Sequence, residues 1–356
     1  MTDSAPQAVR SECARRIQAL RERTAHVVTE AFLERHPDWL ARYGERARVL
    51  GNQDAAFHLD FLTGAIEAGA PEAFADYAVW TAGVLGARGI GPESLVENLR
   101  QIEEVLCTEM PDRRDLIAPM VDAACTACVA VPADAKSASL PGPLAQVQRL
   151  FTAAALRGDR QAATGIALEV LRSGHTVEAL YTQVFETSQY AVGALWQTNR
   201  ISVVDEHVAT AVTQYVMARV FDAVTLPSTP MRGMAVIAGV EGELHQIGAN
   251  MVADILAADG WDVQFLGTNV PHRDLVRAVT AQPPALLGLS TTMLFHVPKV
   301  GALITDIRAA LGLRAPKILL GGAAFRLAPD AISDLGADGY AKDLTSVRRL
   351  VNSLMT

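Results

Sequence analysis

The spacing of apolar residues along the chain changes once and is interrupted twice, and this divides the chain into three parts. Up to about residue 130, apolar residues recur every three or four positions among charged ones, which predicts helices and no strand. From residue 144 to 224 the same spacing predicts four helices with short turns, the pattern of a four-helix bundle. Two proline-containing stretches, residues 131–143 and 225–233, are predicted to be linkers between the parts.

From residue 234 onwards, short apolar runs such as MAVIAGV, ALLGLSTT and KILLGGAA alternate with helical segments. Strands that alternate with helices predict βαβ units and an open parallel sheet. The number of such runs predicts a five-stranded, flavodoxin-like (Rossmann-type) domain over residues 234–356. Ligands on such sheets bind beyond the carboxyl ends of the strands, so the loops after the strands are where chemistry is expected.

Composition and charge exclude several classes of protein. Half of the 356 residues are apolar and a fifth are charged, as in globular proteins. Residues 1–130 contain 13 arginines, no lysine and 20 acidic residues, so most of the net charge of −8 lies there and direct DNA binding is not expected. The four cysteines are too few for a disulfide scaffold, and no apolar run is long enough to span a membrane, so we expect a cytoplasmic protein.

The loop after the first predicted strand contains a carboxylate and an imidazole two residues apart. Glu243 and His245 are placed at the ligand edge of the sheet, and Gly248 follows three residues later. An imidazole can bind a metal through one nitrogen while a carboxylate accepts the proton on the other. Gly248 would let a bulky ligand approach the start of the next helix. The loop lacks a GxGxxG motif, so a nicotinamide dinucleotide is not expected.

Two further strand ends point to the same edge. The third predicted strand ends in a run of hydroxyl residues that includes Ser290 and Thr292. The fourth ends in Gly321-Gly322, where the missing side chains leave room for a large flat or extended group. The sequence therefore predicts a single binding site for a large ligand, built from three loops.

These motifs resemble the cobalamin-binding domain of methionine synthase, the mutases and their relatives, whose pattern is Asp-x-His-x-x-Gly, Ser-x-Leu and Gly-Gly. The resemblance implies that the benzimidazole tail of cobalamin inserts into the sheet and that His245 replaces it as the lower ligand of cobalt. This chain departs from the pattern twice. Glu243 replaces the aspartate, which a longer side chain tolerates, and Thr292 replaces the leucine, which leaves the contact to the tail open.

A second motif lies in the predicted bundle, where Trp196 is followed after nine residues by Glu206 and His207. Alone, these residues are explained by core packing and by acidic residues at a helix start. Ahead of a cobalamin domain, they resemble the signature of the CarH-type light sensors. The resemblance implies that Trp196 packs on the adenosyl group of adenosylcobalamin, that Glu206 helps to hold it, and that His207 binds cobalt from above once light has broken the cobalt–carbon bond.

CarH-type proteins carry a basic DNA-binding head, whereas the acidic helices of residues 1–130 resemble a globin-like or phycobilisome-like sensor domain. That arrangement is similar to the photocobilins, which add a bilin-binding helical domain to a cobalamin photoreceptor. The resemblance implies a bilin such as biliverdin. Its candidate anchors are His58, which lies among apolar residues, and Cys107, which could form a thioether. Core packing is the alternative explanation for both residues. It is also the alternative for Cys125 and Cys128, whose spacing resembles a redox or zinc-binding pair.

We therefore expect a photoreceptor rather than an enzyme, with adenosylcobalamin as cofactor and a bilin as second chromophore. No effector domain is recognised, so the output is expected to pass through light-dependent homo-oligomer assembly or through a protein partner that the sequence does not identify. The alternative is a corrinoid methyl-carrier protein of a methyltransferase system. A haem-based globin sensor is a third interpretation.

Overall fold

The computed structural model describes residues 5–129, 142–224, 232–327 and 335–355, and these form two compact units. The first unit consists of residues 1–133 with the short segments 293–298 and 326–331. Its main elements are six helices: α1 (Gln7–Arg35), α2 (Pro37–Tyr43), α3 (Glu45–Ala68), α4 (Pro71–Gly86), α5 (Pro92–Glu109) and α6 (Arg114–Val129), with a 3₁₀ turn at Pro111–Arg113.

Close helix packing holds the first unit together. Helix α1 lies along α3, and α4 lies along α6. A Cβ added to Gly51 would lie 2.7 Å from a methyl carbon of Thr29, so the glycine is what lets α1 and α3 approach. Arg21 of α1 binds both carboxylate oxygens of Asp60 on α3 at 2.8 Å. As the apolar spacing predicts, the described residues before 130 contain helices and no strand.

The second unit begins with the helices of residues 145–221, called here the central helices. They are α7 (Ala145–Leu156), α8 (Arg160–Arg172), α9 (Val177–Leu180), a π-helical stretch at Tyr181–Glu186, α10 (Thr187–Gln197) and α11 (Val203–Phe221). Helix α11 starts at a capping box, in which Ser202 and Asp205 each accept a hydrogen bond from the other's backbone N–H.

The rest of the second unit is a parallel sheet with helices on its faces. Its strands lie in the order β2-β1-β3-β4-β5. The elements are β1 (Met234–Gly239), α12 (Ile247–Ala258), β2 (Asp262–Phe265), α13 (His272–Ala281), β3 (Leu286–Ser290), α14 (Val297–Leu311), β4 (Lys317–Gly321), α15 (Ala324–Leu327), β5 (Gly339–Ala341) and α16 (Leu344–Met355), with a 3₁₀ turn at Gly312–Arg314. A second 3₁₀ turn, Leu294–His296, belongs to the first unit. The parallel five-stranded sheet predicted from the alternating pattern is confirmed.

The central helices and the sheet share one apolar core. Phe151 and Phe185 of the central helices belong to the same buried cluster as Ile255 of α12. Polar contacts reinforce this packing at its rim. Tyr181 donates a hydrogen bond of 2.6 Å to Asp254 of α12, and Arg348 of α16 bridges Glu178 of α9 and Asp259, which follows α12.

Burial raises the pKa of Asp254 to about 6 although the hydroxyl of Tyr181 acts in the opposite direction. The folded carboxyl therefore holds its proton more tightly than the unfolded one, and stability is lost as the pH rises from about 4 to 6. Asp254→Asn removes this cost and keeps an acceptor for Tyr181. We expect it to raise the free energy of unfolding at pH 7 by about 1–2 kcal/mol, allowing for partial exposure.

Urea unfolding at pH 7 and pH 4 measures this effect. The gain should vanish at pH 4, and Asp222→Asn, at an exposed position after α11, should show no such dependence. An equal gain at both pH values would contradict the assignment.

Both predicted linkers fall largely outside the described residues, which resume at 142 and 232. Among the helices that the structure describes, none combines the length and the apolar character needed to cross a bilayer.

Candidate functional site

The loop between β1 and α12 holds a buried carboxylate against an exposed imidazole. Glu243 is completely buried, whereas the side chain of His245 is 58% exposed. Oε1 of Glu243 lies 2.5 Å from Nδ1 of His245 and accepts the backbone N–H of the same residue at 3.0 Å. Oε2 accepts the backbone N–H of Thr292 at 2.7 Å. One side chain thus joins the loops that follow β1 and β3.

This arrangement decides which nitrogen of His245 faces outward. Because a carboxylate engages Nδ1, that nitrogen carries the proton and Nε2 keeps its lone pair. No hydrogen-bond partner of Nε2 is found in the described part of the chain. The hydrogen bond with Glu243 raises the pKa of His245 above its usual value, burial opposes this, and the charges of Glu243 and Glu206 reinforce it. His245 therefore offers one basic nitrogen at the sheet edge.

Small residues line the carboxyl ends of four neighbouring strands. Gly239 of β1 pairs with Ser290 of β3, Ser290 with Gly321 of β4, and Gly321 with Ala341 of β5. The largest side chain in this row is a hydroxymethyl group. A ligand bound at the edge could therefore come close to the backbone of all four strands. The structure brings the predicted residues Ser290 and Gly321 together in this row.

Gly322 and Thr291 form the tightest contact at this edge. Gly322 has a φ of +106°, and a Cβ added to it would lie 2.2 Å from the carbonyl oxygen of Thr291, so only glycine fits. Thr291 is completely buried, and its hydroxyl oxygen has no hydrogen-bond partner in the described ranges. Sequence reasoning selected Ser290 and Thr292 but missed Thr291, because nothing in the sequence separates three adjacent hydroxyl residues.

Gly248 differs from Gly322 in what surrounds it. It is exposed in the first turn of α12, and a Cβ added there would meet no described atom within 4 Å. Packing within the protein therefore does not require this glycine. The absence of a side chain at this position leaves room for a ligand bound against the start of α12.

The second predicted motif lies at one end of the central helices. Trp196 is half-buried in the last turn of α10, and Glu206 and His207 are in the first turn of α11. The five-residue connection 198–202 reverses the chain and brings these turns to the same end. The side chain of His207 is 74% exposed, and its Nδ1 lies 2.5 Å from Oε2 of Glu206.

His207 and His245 have the same hydrogen-bond arrangement. In each, a carboxylate holds Nδ1, and no described residue is hydrogen-bonded to Nε2. The charge of Glu206 contributes to the raised pKa of His245, so the first turn of α11 lies within electrostatic reach of the β1–α12 loop.

His58 lies inside the first unit. It is 5% exposed, and its Nδ1 lies 2.7 Å from the hydroxyl oxygen of Tyr77 on α4. The ring of Phe61 stacks on Tyr77 with 3.7 Å between centroids, and Phe57 and Trp80 are exposed beside these helices.

Cys107 is buried on α5, and burial raises the pKa of its thiol. A protonated, buried thiol reacts slowly. Its charged neighbours in the structure are Glu103 and Arg114, and no contact with His58 is among its described interactions. Cys125 and Cys128 are buried free thiols on α6.

Burial lowers the pKa of His58 to about 4. The unfolded histidine binds its proton near pH 6.5, so the folded state loses stability as the pH falls from 6.5 to 4, by up to roughly 3 kcal/mol. His58→Asn keeps a polar partner for Tyr77 and removes the titrating group. We expect urea midpoints at pH 7 and pH 4.5 to differ less in the variant than in the wild type. Equal acid sensitivity of the two proteins would contradict a buried, neutral His58.

The matches to known domain models lie mainly in the second unit. Residues 233–347 match a model described as a B12 binding domain, and residues 147–220 match a second model with the same description. The first range contains the sheet with His245, and the second contains Trp196, Glu206 and His207. Cobalamin binding is thus supported. Neither range includes helices α1–α6.

Similar proteins come from two groups. The methanol–corrinoid protein of Methanosarcina barkeri is 27% identical over 127 residues and the dimethylamine corrinoid protein 3 of Methanosarcina mazei 33% over 113. The HTH-type transcriptional repressor CarH of Myxococcus xanthus is 33% identical over 135. These matches cover 35%, 31% and 38% of this chain, and 46%, 65% and 44% of the relatives, so the chain spans about half the length of the curated relatives it matches.

The solved monomethylamine corrinoid protein of Methanosarcina barkeri shares the fold. It superposes with a TM-score of 0.50 at 19% identity, over 59% of this chain and 99% of that one. At this identity the likeness concerns the fold alone.

The residues at the sheet edge fit a cobalamin. A single imidazole gives one ligand, which suits a metal whose other ligands come with its own macrocycle. The buried, unpaired hydroxyl of Thr291 and the open space over Gly248 suit a large group with polar substituents. His245, the small strand ends and Gly248 are the residues that would hold it.

Proposed function

We propose that this chain is a cobalamin-dependent light sensor and not an enzyme. The observation that carries the proposal is the matched pair of histidines: His245 on the sheet and His207 on α11 each have a carboxylate on Nδ1 and an unengaged Nε2 among the described residues. A methyl carrier needs one histidine below the metal. A second, equally prepared histidine suits a protein whose metal exchanges its upper ligand.

Each residue has a distinct part in this proposal. His245 would bind the cobalt, and Glu243 holds its ring and increases its basicity. Trp196 would flank the adenosyl group, Glu206 would hold it, and His207 would offer a second nitrogen ligand once the adenosyl group has left. Adenosylcobalamin supplies a cobalt–carbon bond that visible light breaks. Binding of His207 in place of the adenosyl group would favour a different position of α11, and so bias the protein between two conformations.

We further propose that the first unit binds a bilin such as biliverdin. The support is the buried His58–Tyr77 pair and the aromatic residues Phe61 and Trp80, whose rings lie near Tyr77. His58 would bond a pyrrole nitrogen or a propionate, and the buried state of Cys107 favours non-covalent binding. Expression with biliverdin should give a visible absorption band that His58→Ala weakens or shifts. A purified protein without such a band would exclude bilin binding and would leave the cobalamin proposal unaffected.

The cobalamin proposal is tested by measuring which of the two photolysis products, the cobalamin and the adenosyl nucleoside, stays bound to the protein. Protein loaded with adenosylcobalamin in the dark is illuminated with green light and passed through a desalting column. We expect cobalamin to stay with the protein and the nucleoside to elute in the small-molecule fraction. Size-exclusion chromatography of the same samples should show a light-dependent change in homo-oligomer state, which carries the signal to a partner protein. Cobalamin lost together with the nucleoside would contradict the proposal.

The alternative function is that of a corrinoid methyl carrier. It is favoured by the sequence similarity to the methanol and dimethylamine corrinoid proteins of Methanosarcina. A carrier should exchange a methyl group between methylcobalamin and a methyltransferase in darkness. It should also keep full transfer activity in His207→Ala.

A further inference from the structure

The carboxylate of Glu206 is held at both of its oxygens. Oε2 lies 2.5 Å from Nδ1 of His207, and Oε1 accepts a hydrogen bond of 2.9 Å from the hydroxyl of Thr210, one turn further along α11. An exposed carboxylate next to an exposed imidazole would otherwise sample several rotamers. The bond from Thr210 restricts Glu206 to the one that faces His207.

Gln189 of α10 lies behind Thr210. Its Nε2 donates to the hydroxyl oxygen of Thr213 at 2.8 Å, and Thr213, which is completely buried, donates in turn to the carbonyl oxygen of Ala209 at 2.9 Å. Because the hydroxyl proton of Thr213 is used in the bond to Ala209, Thr213 can only accept a hydrogen bond from Gln189. The amide of Gln189 is thereby oriented with its oxygen Oε1 toward Thr210, at 3.1 Å. Thr210 has one hydroxyl proton, so Gln189 competes for it with Glu206, which lies closer at 2.9 Å.

We propose that Thr210 is a positioning residue that, through Glu206, holds His207 in the Nδ1–H tautomer with Nε2 directed outward as a metal ligand. The role in metal binding rests on the proposed function, whereas the tautomer is a property of the protein without cofactor.

The first test uses the cofactor-free full chain labelled with ¹⁵N-histidine. Long-range ¹H–¹⁵N spectra above pH 8, assigned with His207→Ala, report which ring nitrogen carries the proton. We expect Nδ1–H in the wild type and a shift toward Nε2–H, the usual form of a free imidazole, in Thr210→Val. Gln189→Leu removes the competing acceptor for the Thr210 proton and should keep Nδ1–H. Thr210→Ser restores the hydroxyl and should restore the wild-type spectrum. The exposed His175 should not change in any variant.

The second test uses protein loaded with adenosylcobalamin. Loss of a hydrogen-bond partner behind a ligating histidine commonly costs about 10–100-fold, so we expect Thr210→Val to slow binding of His207 after illumination by about tenfold. A His207 tautomer that is the same in Thr210→Val and in the wild type would overturn the positioning role. A tautomer shift in a protein that ignores light would uphold the positioning role and refute the light-sensor function.

Discussion

Replacing His207 with alanine is expected to abolish the stable product of illumination and to leave binding of adenosylcobalamin in the dark within about twofold. The side chain of His207 is 74% exposed and its described hydrogen bond is to the adjacent Glu206, so folding does not depend on it. Its loss removes the nitrogen proposed to occupy the upper position after light. The loaded variant should therefore release cobalamin or bind water there.

His175→Ala is the matched control, because His175 is also an exposed histidine of the central helices. Absorption spectra during illumination and the cobalamin retained after desalting give both readouts. A variant at His207 that still forms the wild-type light product would show that another group takes the upper position. His245→Ala should behave differently and weaken retention of the cofactor already in the dark.

The second large effect is expected from two glycine substitutions at the same sheet edge. Gly322→Ala places a Cβ 2.2 Å from the backbone of Thr291 at a φ of +106°, and we expect it to lower the free energy of unfolding by roughly 3 kcal/mol or more. Gly248→Ala places a methyl group in open space on a helix, and should be neutral or stabilising by up to about 1 kcal/mol.

Cobalamin affinity distinguishes the structural role of Gly322 from the proposed ligand-binding role of Gly248. Because the Cβ of an alanine at position 248 would project toward a ligand at the start of α12, we expect Gly248→Ala to weaken cobalamin binding by about tenfold or more despite its intact fold. Urea unfolding of the cofactor-free proteins and equilibrium binding of cobalamin measure the two effects separately. Unchanged affinity in Gly248→Ala would place the cofactor away from the helix start.

The sequence predicted the sheet well because the alternation of apolar runs and helices is a property of local segments. It also predicted the pairing of Glu243 with His245, since their spacing across a turn leaves few other partners for the buried acid. What it could not predict depends on side chains from separate elements. The contact of Glu243 with the loop of Thr292, the unpaired hydroxyl of Thr291 and the link from Gln189 to Thr210 arise only when the helices and strands are packed.

The first unit was predicted less completely. Its helical character follows from apolar spacing, and Pro71 and Pro92 begin helices α4 and α5 as first-turn prolines commonly do. The partner of His58 did not follow from the pattern, because Tyr77 lies 19 residues away on another helix. Bilin binding in this unit remains a proposal.

The most direct test of the central claim is the absorption spectrum of the full chain, loaded with adenosylcobalamin in darkness, before and after green light. The account predicts conversion to a stable species with nitrogen ligands on both sides of cobalt, whose spectrum is the same after desalting and requires both His207 and His245. A spectrum that does not respond to light, or a light product that is unchanged in His207→Ala, would contradict it.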